Sequence, residues 1–415
     1  MAPPVQEQWF ILAGIANVVK DKKAKRTFPP GADVSVAYAE PPRASVLTVP
    51  YRVSSPPSLC SYPYVAAADS SGLILLCATE PEGTNSWVTY HLCDARTGED
   101  TCLRGHGRAM GCHGNNLGLM VRGGSRVVVA ELQPAGDGTG GALLLSYTVG
   151  QYRWVEKELA YSPPLHREWR GDGVISHAGM LWWVDLSYGL LSCDPSADTP
   201  ELLHVPLPSV GDPLPVLSAN GGAHRCVRVS GGMLRFVQIH GSPDAPVVST
   251  WALVESSGNW NPERHVALAD VWADESYLDI MLPGSVPALA LLHPEDPDKV
   301  FFFLGSCIFA VDLRQKKVVE FSNFAMPDSP NEFLMRSSHF VHVWQYDPSS
   351  TRSESLLRCL RQEKESSLAA IMPVSRKTAK ILKRFRYDSI REQQFLVTMP
   401  PPLQVGHRRG HGQAT

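Results

Sequence analysis

The sequence predicts a mostly β protein: a propeller-like array of antiparallel sheets with a short basic C-terminal helix or tail. Three observations carry this. From Tyr64 onward, short apolar runs rich in Val, Leu, Phe and Trp recur, separated by Gly, Asn, Asp and Pro. No long stretch sets apolar residues at helical spacing before the tail. Two weak internal repeats mark hairpins of a recurring kind. At 415 residues, with 44% apolar and 19% charged side chains, the chain has material for a large core, which excludes disorder throughout.

Residues 1–60 read as extended strands and loops leading into the sheet array. Pro29-Pro30, Pro41-Pro42 and Pro56-Pro57 stop helices there. Trp9 to Val19 and Ala44 to Val49 are expected strands, and the charge run Lys20 to Arg26 an exposed loop.

Residues 61–346 read as the propeller-like domain. Expected strands include Leu73 to Cys77, Val127 to Leu132, Ala142 to Val149, Leu181 to Leu186, Met233 to Ile239, Val247 to Val254, Ala288 to Leu292 and Val300 to Val311. One repeat is an apolar run followed by an aspartate-centred turn, at Asp94, Asp194 and Asp312. An Asp there can accept from the backbone two residues on and start the turn. The other is a hairpin with a Trp soon after its turn, at Trp154 and Trp260. Both suit the outer hairpin of a four-stranded blade. Trp182, Val184 and Leu186 share one strand face; Leu181, Trp183 and Asp185 share the other. A strand apolar on nearly both faces belongs inside, covered twice.

Residues 347–415 read as a polar, Ser-rich linker over Asp347 to Glu354, a basic helix over Arg376 to Arg386, and a Pro-, Gly- and His-containing tail from Pro400. Charge is divided unevenly. From Leu356 onward 12 Lys/Arg face 4 Asp/Glu, leaving 26 and 37 in the 355 residues before it, net −11. The acidic body disfavours a large phosphate footprint, so no nucleic-acid partner is expected beyond what the basic tail could hold.

Nine irregularly spaced Cys indicate reduced thiols and a cytoplasmic or nuclear protein. No Lys or Arg precedes the apolar run at Trp9, so no signal peptide is expected. The run is too short to span a bilayer, so no membrane partner is expected.

The stretch Leu181-Trp182-Trp183-Val184-Asp185-Leu186-Ser187-Tyr188-Gly189-Leu190-Leu191-Ser192-Cys193-Asp194-Pro195 resembles the signature of a plant family, expanded in grasses and catalogued as a domain of unknown function, number 1618. Arg225 to Val237, Val271 to Tyr277, and Pro287 to Pro294 followed by Val300 to Leu304 fit it too. So do Ala32 to Ala37, Pro41 to Val49 and Tyr64 to Leu73. The likeness runs from about Trp9 to Val343, with the signature region at about 181–322. It implies a β-propeller-like domain, similar in style to the domains attached to plant F-box proteins. It implies no catalytic residues. No F-box-like helical segment precedes the domain, so no link to that machinery is expected.

Candidate chemistry is sparse. Cys93, Cys102, His106, Cys112 and His113 are zinc-ligand types but lack a tight Cys-x2-Cys pair, so no metal site is assigned. Gly105-His106-Gly107-Arg108-Ala109-Met110-Gly111 misplaces the last Gly of a dinucleotide loop, and no cofactor is assigned. His339 and His342, three apart, face opposite sides if on one strand and share no ion. Asp270, Trp272, Asp274, Glu275 and Tyr277 form the one candidate recognition patch, aromatics beside carboxylates. The expected function is a non-catalytic scaffold holding a protein partner. The alternatives are a hydrolase or carbohydrate-active enzyme with a site in a central channel, and a nucleic-acid-associated protein acting through its tail.

Overall fold

The apolar runs of the sequence form strands, and within each four-stranded sheet consecutive strands pair antiparallel. In the computed structural model of the chain, the described residues are 8–58, 62–79, 88–103, 115–123, 126–209, 223–327, 336–347 and 354–371. The chain divides into two units, Met1–Ser367 and Leu368–Thr415; the fold below is that of the first.

β1 (Trp9–Ala13) and β2 (Asn17–Val19) share the run expected as a single strand. The break falls at Gly14, whose N–H donates to Phe340 O at 2.7 Å and whose carbonyl accepts from Val65 N at 2.8 Å. A Cβ at position 14 would meet the Phe340 carbonyl carbon at 2.9 Å, so the close approach requires glycine. The run Lys20 to Arg26 is not a loop but helix α1 (Asp21–Thr27). Asp21 in its first turn and Lys25 and Arg26 in its last suit the helix dipole, and Ala24 anchors it in the core. β3 (Ser35–Ala37) and β4 (Ala44–Pro50) follow.

Five four-stranded antiparallel blades come next. Blade 1 is β5 (Tyr64–Ala68), β6 (Leu73–Thr79), β7 (Val88–Asp94) and β8 (Asp100–Leu103). Blade 2 is β9 (Leu117–Arg122), β10 (Arg126–Pro134), β11 (Gly141–Thr148) and β12 (Trp154–Ala160). Blade 3 is β13 (Val174–His177), β14 (Met180–Asp185), β15 (Gly189–Cys193) and β16 (Leu203–Pro206). Blade 4 is β17 (Arg225–Ser230), β18 (Met233–Ser242), β19 (Ala245–Val254) and β20 (Asn259–Ala267). Two short helices, α2 (Leu268–Trp272) and α3 (Glu275–Leu278), lead to blade 5: β21 (Ala288–Leu292), β22 (Lys299–Leu304), β23 (Cys307–Asp312) and β24 (Lys317–Asn323). The run Val300 to Val311 is thus two strands, reversing where Gly305 takes φ +58°.

After a 3₁₀ turn at Ser338–Phe340, β25 (Val341–Gln345) pairs antiparallel with β1, while β4 lies parallel to β1. Both ends of the domain therefore build one mixed sheet. The first strand of each blade touches that of the next, and β25 touches both β21 and β5, so the ring closes.

Six hydrophobic clusters fill the six interfaces. Leu181, Trp183 and Leu191 pack against blade 2, while Trp182, Val184 and Leu190 pack against blade 4. β14 is covered on both faces, as its sequence indicates. The aspartate repeat is a set of turns after third strands. Asp94 Oδ1 accepts from Arg96 N, Asp194 Oδ1 from Ser196 N, and Asp312 Oδ1 from Arg314 N, each at 2.9 Å. The Trp repeat reaches between blades: Trp154 packs on Tyr90 of blade 1, and Trp260 Nε1 donates to Pro206 O of blade 3.

Helix α4 (Glu354–Ile371) begins where the sequence suggests the linker ends. Leu356 and Leu360 join Tyr147 and Val149 in the cluster between blades 1 and 2.

Candidate functional site

The sequence-indicated patch is carried by α2 and α3, over the seam between blades 4 and 5. Asp274 caps α3, its carboxylate accepting from Ser276 N at 3.0 Å and Ser276 Oγ at 2.6 Å. Those bonds hold its carboxyl below the usual range. Ser276 Oγ in turn accepts from Val318 N, stitching α3 to β24. Tyr277 lies in the core, edge-on to Phe309, its hydroxyl donating to Pro283 O at 2.8 Å. Trp272 is half-buried against the same cluster. Asp270 and Glu275 are exposed, and Asp270 pairs with Lys316 at 2.8 Å. The structure therefore brings all five residues to one place, with two carboxylates presented to solvent and the Tyr277 ring withdrawn from it.

Beside them stand apolar side chains that the sequence did not single out. Leu278 ends α3, Met281 follows it, and Phe321 sits on the outermost strand β24. Phe321 pairs with Phe309, on the blade face that Tyr277 covers. Met281 holds φ +52°, a left-handed conformation uncommon for a bulky residue, with its side chain in solvent.

A second constellation lies at the centre of the ring, at the starts of the innermost strands. Asp172 precedes β13, Arg225 and Arg228 lie on β17, His339 sits in the 3₁₀ turn, and His342 lies on β25. His339 Nε2 is 3.4 Å from Asp172 Oδ1, and Asp172 Oδ2 accepts from Leu186 N. Arg228 donates to the carbonyls of Val227 and Ser338; Arg225 donates to Leu186 O. Tyr64 OH donates to His339 O, and His342 Nε2 donates to Val65 O at 2.7 Å. Burial and then Arg228 push both imidazoles down to about 4. Burial pushes the Asp172 carboxyl up to about 7. The two histidines are not strand neighbours on opposite faces, because His339 precedes the strand in a 3₁₀ turn.

A third cluster is in blade 1. His91 Nδ1 meets Asp100 Oδ2 at 2.9 Å and its Nε2 meets Thr89 Oγ1 at 3.0 Å. Burial alone would lower this imidazole, but the Asp100 carboxylate outweighs it and lifts it to about 10. Cys93 is buried in the same blade and Cys102 lies opposite His91. Among the described residues no three His, Cys, Asp or Glu side chains gather as metal ligands. His106, Cys112, His113, the Gly105 to Gly111 stretch, the Arg376 to Arg386 run and the tail from Pro400 lie outside the described residues.

Radial four-stranded sheets around a polar centre define a β-propeller, with five regular blades and a mixed sheet closing the ring. Within it, residues 183–301 match the family described as Protein of unknown function (DUF1618). No curated protein matches the chain. Among solved structures, the chain is similar to the β-propeller domain of Cps50 (Swd1) from Myceliophteria thermophila, at 12% identity and TM-score 0.33, over 67% of this chain and 95% of that one. It is similar to apo AztD from Citrobacter koseri at 13% and 0.30, over 63% and 72%. A functionally unknown protein from Desulfotomaculum acetoxidans gives 9% and 0.31, over 71% and 89%. Sheet order, not these likenesses, carries the fold assignment. No described helix is long and apolar enough to cross a membrane.

Proposed function

We propose that this protein is a non-catalytic scaffold that holds a protein partner on the outer edge of blade 5. One observation carries the reading. Of the six large apolar side chains exposed among the described residues, four fall here: Leu278 (61%), Met281 (88%), Val319 (43%) and Phe321 (41%). Apolar side chains gathered on a rigid surface and rimmed by charge suit a docking site. Asp270 and Glu275 supply that rim, so the partner presents an apolar anchor flanked by basic groups. The same reading puts the protein in the cytoplasm or nucleus, where its nine cysteines stay reduced.

The test is a paired affinity purification from the native tissue. Proteins held by the wild-type chain should be lost from the Met281→Asp, Phe321→Ser double variant and kept by Leu203→Ser, which alters an exposed apolar side chain on blade 3. Equal retention by both variants would remove the docking site. A hydrolytic reading rests on a different observation, the His339–Asp172 approach at the ring's centre. Turnover of a glycoside or ester that Asp172→Asn abolishes would favour it.

A further inference from the structure

The central constellation is enclosed without being sealed. Asp172 and His339 keep 13% and 10% of their side-chain surface in solvent, and Arg225, Arg228 and His342 are also partly exposed. Solvent therefore reaches these side chains.

The charge arrangement there is unusual. Enclosed guanidinium groups are ordinarily paired with carboxylates. Arg235, with 7% of its side chain exposed, follows this rule and meets Glu263 at 2.8 Å; the more exposed Arg264 and Arg167 also find carboxylates, Asp298 and Asp185, at 2.7 and 2.9 Å. Among the described residues Arg225 and Arg228 have no carboxylate at ion-pair distance. Each leans on backbone carbonyls alone, which leaves part of the guanidinium fork unused.

We propose that the centre of the ring is a binding site for a small oxyanion, a phosphate- or carboxylate-bearing molecule, held by Arg228 with Arg225, His339 and His342 around it. A bidentate contact to carboxylate or phosphate is what an open guanidinium fork supplies. The neighbours do not oppose it. Both imidazoles are neutral at physiological pH, so neither adds charge; the one N–H of His342 is already given to Val65 O, and that of His339 is the one imidazole donor left for a ligand. Asp172 is the carboxyl beside His339, and burial, with Asp185 nearby adding to it, holds it partly protonated near neutrality; Asp185 is itself paired with Arg167. The site's residues come from blade 3, blade 4 and the C-terminal strand of the closing sheet with the turn before it, so the ligand would bridge these three parts of the ring. This site is separate from the blade 5 edge, and its failure would leave that reading untouched.

The experiment is calorimetric titration of the full chain with inorganic phosphate and, separately, with succinate, at fixed ionic strength set with chloride. Saturable binding of one of them is expected, and which one binds assigns the source as phosphate or carboxylate. Arg228→Gln should weaken it about tenfold or more, as loss of a charge-assisted contact does. Lys316→Gln, on the blade 5 edge, should not. His339→Asn serves as a second variant if Arg228→Gln fails to fold. Absence of saturable binding of both anions to the wild type overturns the proposal, as does undiminished binding by a folded Arg228→Gln or His339→Asn chain.

Discussion

Three enclosed histidines respond to their surroundings in opposite senses. His91 gains the Asp100 carboxylate and is lifted to about 10; burial, and then Arg228, push His339 and His342 to about 4. The unfolded value is about 6.5. The raised group binds its proton more tightly when folded, so its stabilisation is complete below pH 6.5 and is lost as pH rises toward 10. The lowered pair contributes above pH 6.5 and loses its contribution as pH falls toward 4. Asp172, raised to about 7, acts with the opposite sign over much of that acid window and blunts it. The alkaline limb is therefore the cleaner test. The melting temperature of the wild type should fall between pH 7 and 9, and His91→Gln should flatten that fall; an unchanged slope would show that His91 is not held as an ion pair. Trp183 supplies a second residue-scale test. Its ring is fully buried and its Nε1 donates to Asn116 O at 2.8 Å. Trp183→Ala should cost about 3–5 kcal/mol in a urea melt. Trp182, on the other face, has a buried Nε1 without a partner, so Trp182→Phe should cost less than Trp183→Phe. The two-faced burial of these tryptophans was readable from alternation alone. The central constellation was not, because Asp172, Arg228, His339 and His342 come from three distant segments and no local spacing joins them.

Among elements, strands were legible where a turn had a local chemical cause. Asp94, Asp194 and Asp312 each satisfy backbone N–H groups within their own turn, so a short window of sequence contains the whole reason for the reversal. The patch at Asp270 to Tyr277 was legible as a place, since α3 is capped within it by Asp274. Which of its side chains face solvent was not, because that depends on Phe309 and β24, over thirty residues on. The helices were hidden for a related reason. α1 looks like a charged loop because six of its seven residues are polar, and only Ala24 reaches the core. α4 is mostly polar, and its anchors make sense only against blade 2. Glu363 is the plainest of them. It is fully buried; one carboxylate oxygen accepts from Tyr147 OH and the other from Gly150 N at 2.7 Å. Next to it, Lys364 pairs with Asp33 at 2.7 Å. Glu363→Ala removes the acceptor of the buried Tyr147 hydroxyl and of the half-buried Gly150 N–H and should cost about 3 kcal/mol in chemical denaturation. A double-mutant cycle with Tyr147→Phe should show coupling. Additive losses would mean that the carboxylate does not hold the helix through that hydroxyl.

At the scale of the whole molecule, the ring stands or falls by its closing sheet. The five blades are contiguous in sequence and each buries its faces on its neighbours, but the first and last would be left half-exposed without β1, β4 and β25. Side chains reinforce the seam on both sides. Trp344 Nε1 donates to Asp69 O and His342 to Val65 O in blade 1, while Ile11 and Val341 pack with Phe301 and Phe303 of blade 5. Ile11 is fully buried and lies opposite Val343 in the β1–β25 pair. Placing a carboxylate there sets an unpaired charge in the interface that shuts the ring. Ile11→Asp should destabilise the domain by about 4 kcal/mol or more, whereas Val319→Asp, on the exposed face of β24, should stay within about 0.5 kcal/mol. Hydrogen exchange gives the loss a location. If the ring opens at its seam, protection in Ile11→Asp falls first in blades 1 and 5 and last in blade 3, on the far side. Uniform loss across all blades would show that the domain unfolds as one unit, with the closing sheet no weaker a point than any other interface.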